Sequence, residues 1–162
     1  PILDIDDPAF RLVKSLIADC CQELAINIVK DGEGATKLVN IRVNGAGSDR
    51  EAKMIASSIA NSLLVKTAIF AEDPNWGRIF SAVGASGAEN IKQNIIDIFI
   101  GDIRICHHGK AVENLDELEV IAAMRPRNFD IRIELNIGSF STETWTCDLS
   151  YDYIKINAEY RS

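Results

Sequence analysis

The sequence lacks basic clusters, long apolar runs and paired cysteine motifs, and each absence excludes a class of protein. The formal net charge is −7 and no lysine or arginine run occurs, so the positive field that attracts nucleic acids and anionic membranes is missing. No apolar run reaches the roughly 18 residues that span a bilayer. The start, PILDIDDPAF, is acidic and does not resemble a signal peptide. We expect a cytoplasmic protein without nucleic-acid or membrane partners.

Cysteine and histidine are too scarce and too poorly spaced to predict a metal centre. The four cysteines form no C-x-x-C pair, and adjacent Cys20 and Cys21 point to different faces of a helix. Cys106, His107 and His108 are consecutive, but side chains alternate along a strand, so we expect the two histidines to diverge. The prediction is reduced thiols and no bound metal.

N-terminal signals place the main helices. Asp7-Pro8 supplies a cap and a first-turn proline, after which apolar residues recur at helical spacing. Ser48-x-x-Glu51 is a capping box that opens a second helix. Asp73-Pro74 repeats the first device and opens a third, on which Gly77 and Gly84 suggest close packing against another backbone.

Alternation of apolar and polar residues predicts the strands. LVNIRVNG and FDIRIELNIG alternate along their length, and Gly101-Asp102 turns a hairpin between two isoleucine-rich segments. We interpret VKTAIF as a short apolar strand and TWTCDLSYDYIKINAEYRS as a further part of the sheet. With about four helices and no linker, the prediction is one domain over residues 1–162. Its fold class is an α/β (α+β) layered sandwich, a mixed, mainly antiparallel sheet with helices packed on it.

KDGEGATK, residues 30–37, places one carboxylate between two glycines at the corner between the first helix and the first strand. Glycine adopts positive φ cheaply, so the motif indicates a tight corner or the close approach of another group. It is no phosphate loop, because the full G-x-x-x-x-G-K-[ST] spacing is absent and Glu33 would repel phosphate. By itself Glu33 is most often a solvated corner charge, with a role in binding as the alternative.

No pattern supplies an activated nucleophile. The segment GASG lacks the G-x-S-x-G elbow, and two adjacent histidines make no convincing Ser-His-Asp order. Pro1 cannot act as an N-terminal Thr, Ser or Cys nucleophile. The residues alone therefore predict no reaction centre in this chain.

Three long strings, in order, resemble the C-terminal part of the ornithine acetyltransferase family, the bifunctional glutamate N-acetyltransferases of arginine biosynthesis. They are KDGEGATK, VKTAIFAEDPNWGRIFSAVGASGA and TWTCDLSYDYIKINAEYRS. The resemblance implies a precursor that cleaves itself before a threonine. The new N-terminal Thr carries acetyl from N-acetylornithine to glutamate, and some members also accept acetyl-CoA. No other cofactor is implied.

The resemblance also implies roles for three residues of this chain. Glu33 matches the Glu of the family's D-G-E-G motif, and Asn157 and Ser162 match substrate-binding positions of its N-A-[DE]-Y-R-[ST] ending, with serine in place of the commoner threonine. The family's nucleophilic Thr, its oxyanion-hole Thr-Gly pair and its upstream substrate-binding residues lie before Pro1. We therefore expect no catalytic residue in this chain and no activity from it alone. The expected partners are the α chain and the rest of the β chain of the same precursor, in an α/β hetero-oligomer. The alternative is a non-catalytic companion or fragment with a structural role.

Overall fold

The structure is a computed structural model that describes residues 4–160, and it contains six α-helices and six strands within that range. The helices are α1 Pro8–Lys30, α2 Asp49–Asn61, α3 Leu63–Phe70, α4 Trp76–Gly84, α5 Glu117–Met124 and α6 Tyr151–Glu159. The strands are β1 Leu38–Ala46, β2 Asp97–Ile100, β3 Ile103–His107, β4 Lys110–Ala111, β5 Asn128–Glu134 and β6 Phe140–Cys147. A short 3₁₀ turn, Gln93–Ile95, precedes β2. No helix in the described range is long and apolar enough to cross a membrane.

The strands form one sheet in the order β4-β3-β2-β5-β1-β6. Among the described strands, β1 and β5 pair in parallel, and the other four pairings are antiparallel. The predicted Gly101-Asp102 turn joins β2 to β3, with Ile100 opposite Ile103. The predicted fold class, a mixed and mainly antiparallel sheet with helices packed on it, is confirmed.

The two faces of the sheet differ in polarity. One face is apolar and lies under the helices α2 to α5, where alternate strand residues are fully buried. Its central members are Val39, Ile41, Val43, Ile98, Ile100, Ile131 and Ile133. The other face is polar, and Arg42 lies 3.5 Å from Asp130 and 3.9 Å from Glu143 there. Both strand alternations predicted around β1 and β5 are therefore confirmed.

Helix α1 follows the predicted signals but is not buried. Asp7 caps it by accepting a hydrogen bond from the Ala9 N–H, and Pro8 is its first residue. None of its 23 residues is buried, and its main contact with the rest of the chain is β6. The apolar side chains that predicted the helix therefore lie exposed along it.

Two predictions about the segment 63–84 are wrong. VKTAIF belongs to helix α3 rather than to a strand: Ser62 caps that helix by accepting from the Val65 N–H, and the buried residues Val65, Ala68 and Ile69 follow helical spacing. Helix α4 is capped by Asn75, not by Asp73; Asp73 instead accepts a hydrogen bond from the Asn75 amide at 3.0 Å.

The glycines of α4 do not mark close packing either. A Cβ added at Gly84 would meet nothing within 4 Å, and one at Gly77 would meet only the Asn75 side chain at 3.5 Å. Within residues 4–160, no second backbone lies against these positions. The prediction drawn from their helix propensity is therefore wrong for this chain.

The C-terminal segment departs most from prediction. Only its first part continues the sheet, in β6, and Tyr151–Glu159 forms helix α6. Ser150 caps α6 by accepting a hydrogen bond from the Tyr153 N–H at 3.3 Å. Tyr153 and Asn157 lie one helical turn apart, so their side chains share a face of α6. None of the residues of α6 is buried.

Candidate functional site

The KDGEGATK corner and the start of α6 pack directly against each other. The corner connects α1 to β1, as predicted, and Gly34 has φ of +66° at its tip. A Cβ on Gly34 would lie 2.7 Å from the backbone N of Tyr153 and 2.9 Å from Ser150 Oγ. Glycine is needed at this position both for its left-handed conformation and for the space.

Asp148 holds the corner from the other side. Its carboxylate accepts hydrogen bonds from the Thr36 N–H at 2.8 Å, the Thr36 hydroxyl at 2.6 Å and the Lys37 N–H at 2.9 Å. The residue is only 3% exposed. Charge-assisted bonds of this kind are about twice as strong as neutral ones, so Asp148 fixes where the corner lies relative to the end of β6.

Ser150 adds a second link between the same segments. Its hydroxyl donates to the Gly34 carbonyl at 2.6 Å while it accepts from the Tyr153 N–H. The residue is 4% exposed, so both functions of the hydroxyl are used away from solvent. The same hydroxyl group thus caps α6 and links it to the corner.

These links bring Glu33 and Asn157 into contact. Glu33 Oε2 accepts a hydrogen bond from Asn157 Nδ2 at 2.8 Å, across 124 residues of sequence. Asn157 Nδ2 also donates to the Tyr153 carbonyl at 2.9 Å. Both partners of Nδ2 are acceptors, which fixes the orientation of the amide. Two acceptor oxygens, Glu33 Oε1 and Asn157 Oδ1, remain without a hydrogen bond to any described residue.

The pair lies at the surface of this chain. Glu33 and Asn157 are both exposed, in contrast to the buried Asp148 and Ser150 that position them. Ser162, the third predicted binding residue, lies outside the described residues. The structure thus brings together two of the three predicted residues at a surface that residues 4–160 leave exposed.

Lys37, the last residue of the motif, takes no part in an anion site. Its ammonium donates to Glu72 Oε1 at 2.7 Å and to the carbonyls of Met124 and Arg125 at 2.9 and 2.7 Å. All three of its protons are therefore used, at a residue that is 9% exposed. This agrees with the interpretation that KDGEGATK is not a phosphate loop. Lys37 instead ties the corner to the C-terminal end of α5.

Comparison with known proteins decides the family. The sequence pattern of the ArgJ family matches residues 4–162. This chain belongs to the ArgJ family. The resemblance stated from its three strings is thereby confirmed.

Relatives are found in bacteria and in fungi. The chain is 44% identical over 153 residues to the arginine biosynthesis bifunctional protein ArgJ of Pseudomonas fluorescens, a match of 94% of this chain and 38% of that protein. It is 47% identical to the protein of the same name from Gluconobacter oxydans, covering 98% of this chain and 37% of the relative. A mitochondrial ArgJ of Schizosaccharomyces japonicus is 42% identical over 100% of this chain and 38% of its own length. The chain thus spans well under half the length of these relatives.

A solved structure shares the fold. The crystal structure of the arginine biosynthesis bifunctional protein argJ from Bacillus halodurans superposes with a TM-score of 0.92 at 42% identity. The match covers 98% of this chain and 74% of that chain. The arrangement of helices and strands described above is therefore that of an ArgJ protein.

Sequence reasoning missed the two residues that build the site, Asp148 and Ser150. The available signal was the string DLSYD between a strand and a helix, in which Ser150 precedes an acidic first turn. The string was interpreted as a continuing strand, so the cap was not recognised. The distant hydrogen bonds of Asp148 leave no local pattern in sequence.

Proposed function

We propose that this chain supplies substrate-binding residues to an acyltransferase of arginine biosynthesis. The enzyme moves acetyl from N-acetylornithine to glutamate through an acetyl-threonine intermediate. Support comes from the relatives, whose names are those of arginine biosynthesis bifunctional proteins. The observation that carries the proposal is the 2.8 Å contact between Glu33 and Asn157, because it joins two separate family motifs at one point.

The chemistry of the pair suits the ammonium group of an amino-acid substrate. Glu33 Oε1 and Asn157 Oδ1 are neighbouring acceptors, and an ammonium offers three donors to them. The negative charge of Glu33 adds an electrostatic attraction that grows once water is excluded. In this arrangement Asn157 accepts from the substrate rather than donating to it, since both of its N–H groups are already used. Ser162, whose hydroxyl can donate, is proposed for the carboxylate or amide end of the substrate.

The attacking hydroxyl is proposed to come from outside this chain. The family's nucleophilic Thr lies in the part of the precursor that precedes Pro1, and this chain matches only 38% of the Pseudomonas relative. We accordingly propose that the chain alone transfers no acetyl group. Acetyl-CoA as a second acetyl donor, a single domain over residues 1–162 and a cytoplasmic location stay predictions.

The proposed partners are the α chain and the remainder of the β chain of the same precursor. Exposed apolar side chains along α1 support this proposal, because a stripe of this size normally packs against another surface. They include Leu12 at 62%, Leu16 at 58%, Leu24 at 59% and Ile28 at 75% exposed. The relatives contain further sequence outside the region that matches this chain. The proposal is that this further part covers the stripe.

The decisive experiment replaces Glu33 by glutamine in the assembled enzyme, with Glu113→Gln as the matched control. Glu113 is exposed in the loop after β4, at the opposite edge of the sheet. Loss of one partner of a desolvated charge pair costs about 2 kcal/mol, so kcat/KM for N-acetylornithine should fall at least about thirtyfold. The control should keep its activity, and the melting temperatures of both variants should match the wild type.

A loss of less than about threefold would return Glu33 to the class of surface charges. It would favour the alternative in which this chain is a non-catalytic companion that only completes another fold. Assay of the purified chain without companion chains tests the proposal that the nucleophile lies outside it. Formation of acetylglutamate by this polypeptide alone would show that the nucleophile lies within residues 1–162.

A further inference from the structure

Both histidines of the chain lie together with a buried carboxylate, far along the sheet from the Glu33 site. The chain contains two histidines, His107 and His108. Their rings stack with centroids 3.9 Å apart and planes inclined at 27°. The premise that they diverge on a strand is therefore wrong. Asp97, on the neighbouring strand β2, faces both of them and has a side chain that is 13% exposed.

A tight turn explains the geometry. His108 and Gly109 have φ of +49° and +74° between β3 and β4, the positive pair that a type I′ hairpin requires. His108 has thus left the strand, and alternation of faces no longer applies to it. Glycine is favoured at position 109, because an added Cβ would clash with the backbone carbonyl oxygen of Gln93. The backbone of His108 is strained, because it adopts the left-handed conformation at a position where asparagine or glycine is commoner.

Asp97 organises the turn. One of its oxygens, Oδ1, accepts from the His108 N–H at 2.8 Å and lies 3.0 Å from His107 Nδ1. Burial alone would raise the pKa of Asp97, but these hydrogen bonds and the charges of His107 and Arg104 hold the pKa below its usual value. The carboxylate is therefore ionised at neutral pH.

We propose that Asp97, His107 and His108 bind a divalent cation of borderline hardness, of which Zn²⁺ is the representative. One ligand atom from each of the three residues lies within 4.8 Å of the others. Two imidazoles and a carboxylate are ligands that suit Zn²⁺, with water completing the coordination. Such bonds measure about 2.0–2.2 Å, which places neighbouring ligand atoms roughly 3 to 3.5 Å apart. The 3.0 Å separation of Asp97 and His107 already approaches that spacing.

Small side-chain movements complete the site. Stacked rings direct their nitrogen lone pairs nearly parallel, so one ring must turn for both to reach a common ion. The His107 side chain is 44% exposed, which leaves its ring room to turn. Arg104 lies 3.5 Å from Asp97 Oδ2 and competes with the ion for that oxygen. The cation would link the β3–β4 turn to β2 at the sheet edge opposite β6, so it acts on the turn and not on the acetyl-transfer site.

The test is titration of Zn²⁺ into the enzyme with all its chains, followed by calorimetry. His108→Asn is the key variant, because asparagine tolerates the positive φ but removes the imidazole. His107→Gln and Asp97→Asn remove the other ligands. Each should weaken Zn²⁺ affinity at least tenfold relative to the wild type. Cys20→Ser with Cys21→Ser is the matched control, since these two thiols are exposed in this chain and lie away from the histidines, and it should leave the affinity unchanged.

Two independent readouts accompany the titration. Co²⁺ in place of Zn²⁺ should give visible d–d bands without thiolate charge transfer, and Zn²⁺ should raise the melting temperature of the wild type but not of His108→Asn. Acetyl transfer should be the same with and without the ion. Absence of Zn²⁺ binding, equal affinity in His108→Asn, or loss of binding in the cysteine variant alone would each overturn the proposal.

Discussion

The interior helix α2 and the terminal helix α1 both carry apolar side chains at helical spacing, yet within residues 4–160 only those of α2 are covered. In α2, Ile55 and Ile59 are fully buried against the sheet, whereas α1 has no buried residue. The other terminal helix, α6, also buries nothing and is held by polar links to the KDGEGATK corner. Burial is therefore concentrated between the two terminal helices, and both terminal helices stay exposed among the described residues.

The largest expected effect is a difference in unfolding free energy between substitutions in α2 and substitutions in α1. Ile55→Ala removes a buried side chain and leaves a cavity, so the free energy of unfolding of the chain in urea should fall by about 2–5 kcal/mol. Leu16→Ala, on the exposed stripe of α1, should change it by less than about 0.5 kcal/mol.

Assembly with the companion chains should depend on the exposed stripe of α1, although the stability of the chain alone does not. Leu16→Asp places a charge on the proposed contact surface, so the variant should lose its companion chains on size-exclusion chromatography while its own unfolding curve is unchanged. A large loss of stability for Leu16→Ala in the chain alone, or normal assembly of Leu16→Asp, would show that α1 is not a contact surface.

Gly34→Ala tests how α6 is held. The new Cβ would meet the backbone of Tyr153 at 2.7 Å from a left-handed position, so stability should fall by about 2 kcal/mol. Gly84→Ala is the matched control in α4, where nothing lies within 4 Å, and it should be neutral or slightly stabilising. Equal melting temperatures for the two variants would mean that the corner does not pack against α6 as described.

Asp148→Asn should loosen the same contact more gently. An amide can still accept from a backbone N–H, but the charge-assisted bonds to Thr36 and Lys37 weaken, at a cost of about 1–2 kcal/mol. In the assembled enzyme, KM for N-acetylornithine should rise because Glu33 is displaced, although Asp148 does not touch the substrate. Unchanged KM together with lower stability would give Asp148 a purely structural role.

The smallest expected effect concerns the stability of the fold at acid pH. The pKa of Asp97 lies below its usual value of 3.8 despite the opposing effect of burial. Its ionised form therefore stabilises the fold above the unfolded-state pKa, and this contribution is lost as pH falls through the lower folded-state pKa. Asp97→Asn should flatten the pH dependence of the unfolding free energy below pH 3.8, as measured by urea titration. Near pH 7 the slope of that dependence should be the same as in the wild type. An identical acid slope would contradict this.

The sequence predicts elements well where pattern and burial coincide. The strands around Ile41 and Ile131 alternate because one face of the sheet is covered by the chain's own helices. VKTAIF was misassigned because a six-residue segment with four apolar residues fits a short strand and a buried helical turn equally well, and only the Ser62 cap distinguishes them.

The site was predictable in part. Glu33 and Asn157 follow from family motifs, but their contact depends on Asp148 and Ser150, whose partners lie more than 100 residues away in sequence. The final helix was missed because YDYIKIN alternates like a strand, while its actual conformation is set by the Ser150 cap and the packing of Gly34. Long-range polar contacts of this kind have no periodic signature.

A crystal structure of the assembled enzyme with ornithine bound tests the central proposal most directly. We predict that the substrate ammonium lies within about 3.2 Å of Glu33 Oε1 and Asn157 Oδ1, at a site closed by the companion chain. Ornithine bound elsewhere, with Glu33 still facing bulk solvent, would contradict it.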